Sequence, residues 1–135
     1  MIARRIYRLN RQGNLLWLRA SVGRARENPI VLRLLVDTGS SYTVLPCRIL
    51  ERLGCNLQQP LQSTTIVTAS AVVKMPVVPV PWFNCLGVRK ENFSVVAMDL
   101  PMGSFANGLL GIDFLREEKA IIDIFKNEIY LRDNS

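Results

Sequence analysis

The chain has 135 residues, 49% hydrophobic and 21% charged, which fits one globular domain and excludes a disordered or fibrous chain. It contains no histidine, which excludes Ser-His and Cys-His nucleophile pairs, a His-ligated zinc site and imidazole proton transfer. The net charge of +6 is uneven: residues 1–33 carry eight arginines (Arg4, Arg5, Arg8, Arg11, Arg19, Arg24, Arg26, Arg33) against one acid, Glu27.

Ile2 to Leu9 is β-compatible, Arg11-Gln12-Gly13-Asn14 is a turn signal, and Leu15 to Val22 reads as a second strand. Residues 2–22 therefore predict a hairpin, followed by a polar loop over Gly23 to Pro29. Ile30 to Val36 is a third strand, apolar on both faces except at Arg33, so most of it is expected to be buried. It delivers the chain to Asp37. Tyr42 to Leu45 is a short apolar stretch, and Pro46 then opens a helix over 46–53. Ile49, Leu50 and Leu53 fall at helical spacing there, with Gly54 as a stop.

Residues 61–81 read as two strands joined near Thr68-Ala69-Ser70-Ala71. Pro76 and Pro79 lie in the second and are expected to break it or confine it to a sheet edge. Trp82 to Leu86 and Asn92 to Met98 continue the β pattern around a turn over Gly87 to Glu91. Asp99 to Asn107 is a loop with Pro101 and Gly103. Gly108-Leu109-Leu110-Gly111 precedes a short helix from about Asp113 to Glu118, with Asp113 suited to cap it. Ala120 to Phe125 and Glu128 to Arg132 form a closing hairpin around Lys126-Asn127, and Asp123 reads as a strand-end acid. The expectation is one domain over 1–135, with 1–27 as a basic N-terminal β-hairpin extension.

No apolar run reaches the roughly 18 residues of a membrane span. Arg4 and Arg5 are followed by no uninterrupted apolar segment, so no secretory signal is expected and cytoplasmic residence is the default. Cys47, Cys55 and Cys85 are odd in number and lack metal-knuckle spacing. They read as free thiols in a reducing compartment, and no metal or cofactor is expected. The arginine-rich first quarter could attract nucleic acid, anionic membrane or an acidic protein. A solvated strand face that discourages edge pairing is the preferred reading, and the aromatic interleaving typical of single-strand binders does not accompany the arginines. Nucleic acid is not an expected partner.

The run Val36-Asp37-Thr38-Gly39-Ser40-Ser41 carries the chemistry. A buried strand fixes the backbone before Asp37, Gly39 permits a tight turn and close approach, and Thr38 and Ser40 supply hydroxyls that can bond to carboxylate or backbone. Two carboxylates can hydrolyse a peptide bond through a water held between them, one ionised and one protonated, because like charges a few ångströms apart share a single proton. The motif occurs once here, so the mechanism requires two copies of the chain. The tripeptide Asp-Thr-Gly alone is equally an ordinary turn; its surroundings decide.

With its flanks, Val36 to Pro46 resembles the catalytic loop of retropepsin-like aspartic proteases, single-domain homodimeric relatives of pepsin. Gly108-Leu109-Leu110-Gly111-Ile112-Asp113-Phe114-Leu115 resembles the family's second signature, and the likeness spans roughly residues 28–132. It implies an all-β fold: a retropepsin-like acid-protease β-barrel with one or two short helices, half of a pepsin-like bilobal enzyme. It further implies a homodimeric aspartic endopeptidase acting on protein or peptide substrates. Asp37 would be catalytic. Thr38 would bond across the two-fold axis, Gly39 would line the cleft floor, and Ser40 would hydrogen-bond beside the carboxylate. Leu109, Leu110 and Gly111 would pack under the catalytic turn, and Thr68, Ala69, Ser70 and Ala71 would form the flap tip. Asp113 would cap its helix rather than catalyse. In viral relatives terminal strands interleave between copies, a role open to the Ala120–Arg132 hairpin. No glycine lies between Gly54 and Gly87, whereas family flaps commonly contain one. The alternative is therefore a weakly active or inactive module of the same fold that binds peptides or dimerises.

Overall fold

The computed structural model describes residues 5–60, 62–67 and 71–132. Two short strands, β1 (Ile6–Arg8) and β2 (Asn10–Gln12), lead into the long β3 (Leu15–Gly23). β4 (Ile30–Val36) enters the Asp37 loop, β5 (Val44–Leu45) leaves it, and α1 (Cys47–Arg52) follows. β6 (Gln62–Val67), β7 (Val72–Cys85) and β8 (Val88–Ala97) form a meander. β9 (Gly108–Leu110) runs into α2 (Ile112–Glu117), and β10 (Ala120–Asp123) and β11 (Glu128–Leu131) complete the described order.

Eight strands form one sheet in the order β2-β3-β4-β9-β5-β8-β7-β6. It closes into a barrel because β3 also pairs with β7, through Ser21–Asn84, Val22–Phe83 and Gly23–Trp82. Gly23 is required at that seam, since a methyl there would collide with the Trp82 indole. A second, three-stranded sheet has the order β1-β11-β10. The all-β barrel with two short helices is thus realised. Neither six-residue helix is long and apolar enough to cross a membrane.

Period-two alternation makes the core. Leu18, Ala20 and Val22 of β3 and Leu32 and Leu34 of β4 point inward. Phe114 of α2 plugs the barrel against Phe83 and Phe93, with ring centroids 4.9–6.2 Å apart. Burying one such side chain stabilises the fold by roughly 1.5–3 kcal/mol. Val44, Val77 and Val96 form a separate small cluster, on which Ile66, Met75, Met98 and Leu109 pack.

Several expectations change. The 2–22 hairpin survives only in its inner part, where β2 pairs with β3 around Gly13 at φ +61°. β1 instead crosses to the other sheet and pairs with β11, and Ile2 to Arg4 lie outside the described residues. The outer face of β4 is not buried: Val31 is 60% exposed. The prolines neither break β7 nor confine it to an edge. β6 pairs with β7 only up to Val77, and β3 only from Trp82 onward. Pro79 and Pro81 fall in that gap, and Pro76 lies one residue beyond the last β8 pair, Val77–Val96. A missing N–H costs little where one neighbour is absent. The turn after β7 is tighter than expected. Leu86 and Gly87, both at positive φ, form it alone, so β8 begins at Val88. In the closing hairpin β10 stops at Asp123, whose Oδ1 accepts the Lys126 N–H at 2.9 Å.

Cys47, Cys55 and Cys85 are all free thiols. Burial pushes the Cys85 thiol from 9.0 up to about 12. The folded chain keeps that proton at pH values where the unfolded chain loses it. Its stabilising contribution is therefore complete below pH 9.0 and is lost as pH rises toward about 12, by roughly 1.4 kcal/mol per pH unit. Urea unfolding from about pH 8.5 to about pH 10.5 should show a shallower loss of stability in Cys85→Ala than in the parent chain.

Candidate active site

Two backbone segments cross closely beside the Asp-Thr-Gly motif. β4 lies parallel to β9, with Leu35 opposite Leu109 and Val36 opposite Leu110. β9 also touches β5 through Val44–Leu109. The Asp37 N–H donates to the Leu110 carbonyl at 2.9 Å, and the Ile112 N–H donates to the Ser40 carbonyl at 2.8 Å. The loop is therefore held at both ends by the segment 110–112. That closeness explains two glycines. A methyl at Gly108 would strike the Val44 carbonyl oxygen, and one at Gly111 would strike the Tyr42 backbone.

Inside the loop the Gly39 N–H donates to Asp37 Oδ1 at 3.0 Å, orienting the carboxylate. A methyl on Gly39 would sit 3.3 Å from the same oxygen. Gly39 thus serves close approach here; it is not among the positive-φ glycines. Asp37 Oδ2 has no hydrogen-bond partner among the described residues. Ser40 departs from its expected role. Its Oγ donates to the Tyr42 carbonyl at 2.7 Å, and its N–H donates to the Asp37 carbonyl at 3.2 Å. It braces the loop rather than the carboxylate. Thr38 is exposed.

Asp113 also departs. The helix starts one residue early, at Ile112, with Gly111 in the N-cap position, so Asp113 lies inside the first turn. Its carboxylate accepts the Thr43 N–H at 3.0 Å, the Thr43 hydroxyl at 2.9 Å and its own neighbour Phe114 N–H at 2.8 Å. Thr43 is fully buried, and its Oγ1 also accepts the Gly111 N–H at 3.2 Å. One hydroxyl therefore ties the exit of the Asp37 loop to the start of α2. The sequence reading missed it; the signal was a threonine within the long first motif, seven residues into Asp37–Thr43.

The carboxylate faces a cleft of ≈ 500 Å³. Asp37, Gly39 and Ser40 contribute one part of its lining, and Thr64, Thr65 and Ile66 of β6 another. Val96, Met98 and Leu109 supply an apolar side. Leu109 lines the cleft, whereas Leu110 is fully buried beneath the loop. Asp37 is the only acid in this lining among the described residues. Of the expected flap tip, Thr68, Ala69 and Ser70 lie outside the described residues, and Ala71 is exposed just before β7. The β6 contribution and Met98 escaped the sequence reading, because only pairing over the barrel brings them to Asp37.

A closed barrel with one carboxylate turn, braced by a Gly-Leu-Leu-Gly strand and facing a cleft lined in part by β6, is the retropepsin-like architecture. A family model described as aspartyl protease matches residues 23–114, and the chain belongs to that family. Among solved structures it is similar to a retropepsin-like aspartic protease from Rickettsia conorii, with 25% identity and a TM-score of 0.67 over 96% of this chain and 89% of that one. It is also similar to the retroviral protease-like domain of Ddi1 from Leishmania major, with 16% identity and a TM-score of 0.54 over 90% of this chain and 97% of that one. The second likeness concerns the fold alone. A comparison with curated proteins gave no match.

Replacing Thr43 by valine removes the hydroxyl and strands the buried Gly111 N–H. The expected loss is about 2–4 kcal/mol, seen as a lower urea midpoint at unchanged slope. Thr43→Ser keeps the hydroxyl and should cost about 1 kcal/mol for its missing methyl.

Proposed function

We propose that this chain is a homodimeric aspartic endopeptidase, with one Asp37 from each copy forming the catalytic pair. The observation that carries this reading is a cleft with a single acid in its lining among the described residues, held at the end of β4 by the Gly39 N–H. Dyad chemistry needs a second carboxylate, and a two-fold axis supplies it from an identical loop. The exposed Thr38 at the loop's apex is free to meet its counterpart across that axis.

The reaction follows from the pair. One carboxylate takes a proton from the trapped water as its oxygen attacks the scissile carbonyl carbon. The other donates its proton to the carbonyl oxygen. The resulting diol collapses, the C–N bond breaks, and the amine leaves with a proton returned by the pair. Substrate would lie extended beside β6. That strand is the last in the eight-stranded sheet, so its outer edge can pair with a peptide backbone. The hydroxyls of Thr64 and Thr65 and the apolar Ile66, Val96 and Met98 would then shape the subsites. Three unpaired thiols fit a cytoplasmic setting.

Asp37→Asn keeps an oxygen for the Gly39 N–H but cannot share a proton. It should fold, dimerise and cleave an unfolded protein library at least about 10³-fold more slowly than the parent. Specific activity of the parent should also fall on dilution, because a monomer holds half a site. Equal cleavage by both forms would refute the reading. Peptide binding without products anywhere from about pH 4 to about pH 7.5 would favour a non-cleaving module instead.

A further inference from the structure

From the cleft a row of paired side chains runs sideways across the barrel's outer face. Leu109 lines it, Leu35 is the β4 neighbour of Leu109, and Trp17 is the β3 neighbour of Leu35. Directly paired residues share a sheet face, so these three form one apolar row leading away from Asp37. The next outward-facing rung is Arg19 paired with Arg33. Contrary to the sequence expectation, aromatic rings do interleave with these arginines. The Arg19 guanidinium lies 5.0 Å from the Trp17 ring and the Arg33 guanidinium 4.6 Å from the Phe105 ring. Trp17 and Phe105 meet edge to face at 5.0 Å. The loop bearing Phe105 is pinned in turn: the Arg33 N–H donates to Asn107 Oδ1 at 2.7 Å, and the Asn107 N–H donates to the Arg33 carbonyl at 2.8 Å.

Two like charges directly opposite each other on a sheet are destabilising. Among the described residues neither arginine forms an ion pair. Both guanidiniums are held against rings, exposed and without an anion among the described residues, one outward rung beyond the row that starts at the cleft residue Leu109. The geometry points to a specificity site: Arg19 and Arg33 receive an acidic side chain of the substrate. This rests on the peptidase reading above. Arg33 precedes Asp37 by four residues of extended chain, or about 13 Å, which is roughly four residues along an extended substrate. The two-fold axis repeats the arginine pair, so an acid on either side of the scissile bond finds one.

The test uses the intact protein and peptides sharing one cleavable bond, with Glu, Gln or Lys about four residues away on either side. kcat/KM should follow Glu over Gln over Lys, with Glu about tenfold above Gln at low salt and the gap closing as salt is added. In the double variant Arg19→Gln/Arg33→Gln the Glu-to-Gln ratio should fall to about one. That ratio is internal to each preparation, so partial unfolding does not mimic it. Equal cleavage of all three peptides by the parent overturns the site and leaves the peptidase reading intact. If nothing is cleaved, binding of the same labelled peptides decides. A preference for Glu supports the site while the peptidase reading fails, and equal affinities overturn the site. Binding of a random single-stranded DNA through Arg19 and Arg33, with no preference for the acidic peptide, also overturns it.

Discussion

The near-contact of two backbones organises this molecule. Residues 42–44 and 108–111 approach so closely that neither Gly108 nor Gly111 tolerates a methyl group. Because they approach, the Asp37 N–H reaches the Leu110 carbonyl and the Ile112 N–H reaches the Ser40 carbonyl. The buried Thr43 hydroxyl then bridges Gly111 and Asp113. A carboxylate on a free loop would sample many directions. Here the strand before it, the strand beside it and the helix after it all restrict the same four residues, so the carboxylate is held in place before any ligand arrives.

The same crossing explains why the two motifs occur together. Gly-Leu-Leu-Gly has little chemistry of its own. Its glycines admit the neighbouring chain, Leu110 fills the core beneath the loop, and Leu109 faces the cleft. Asp113 follows from this arrangement. Its carboxylate is taken up by two donors from Thr43 and by the Phe114 N–H. It is a structural acid close to the Asp37 cleft, and its own carboxylate is absent from the cleft lining.

Features written in local residues were legible in the sequence. Ile30 to Val36, the Asp-Thr-Gly turn, the helix near 46–53 and the second motif all depend on contiguous patterns, and the family likeness rested on them. Features depending on distant partners were hidden. The 2–9 segment lacks alternation, so nothing in it tells that Ile6–Arg8 pairs with β11 rather than folding back on β3. β7 tolerates Pro79 and Pro81 only because β6 and β3 leave a gap there. Leu86 at φ +53° carries no sequence mark of a tight turn. The family resemblance put the Ser40 hydroxyl beside the carboxylate, whereas it donates to the Tyr42 carbonyl, a backbone partner that the pattern of residues does not single out. Phe105 reaches Arg33 only through a loop docked by Asn107.

Stability and recognition are assigned to different residues of the same strands. On β3 and β4 the inward positions Leu18, Ala20, Leu32 and Leu34 build the core, while Arg19 and Arg33 alternate with them on the outside. A strand's period of two makes this separation automatic. It leaves the outer rung free to carry an unneutralised charge pair that a core position could not hold. The Asp37 loop follows the same division. Its placement depends on glycines, backbone bonds and Thr43, and the carboxylate itself contributes one bond, from Gly39. The carboxylate at Asp37 and the charge at the arginine pair can therefore change while the barrel that positions them stays the same. Changing Gly108, Gly111 or Thr43 instead moves the frame on which both depend.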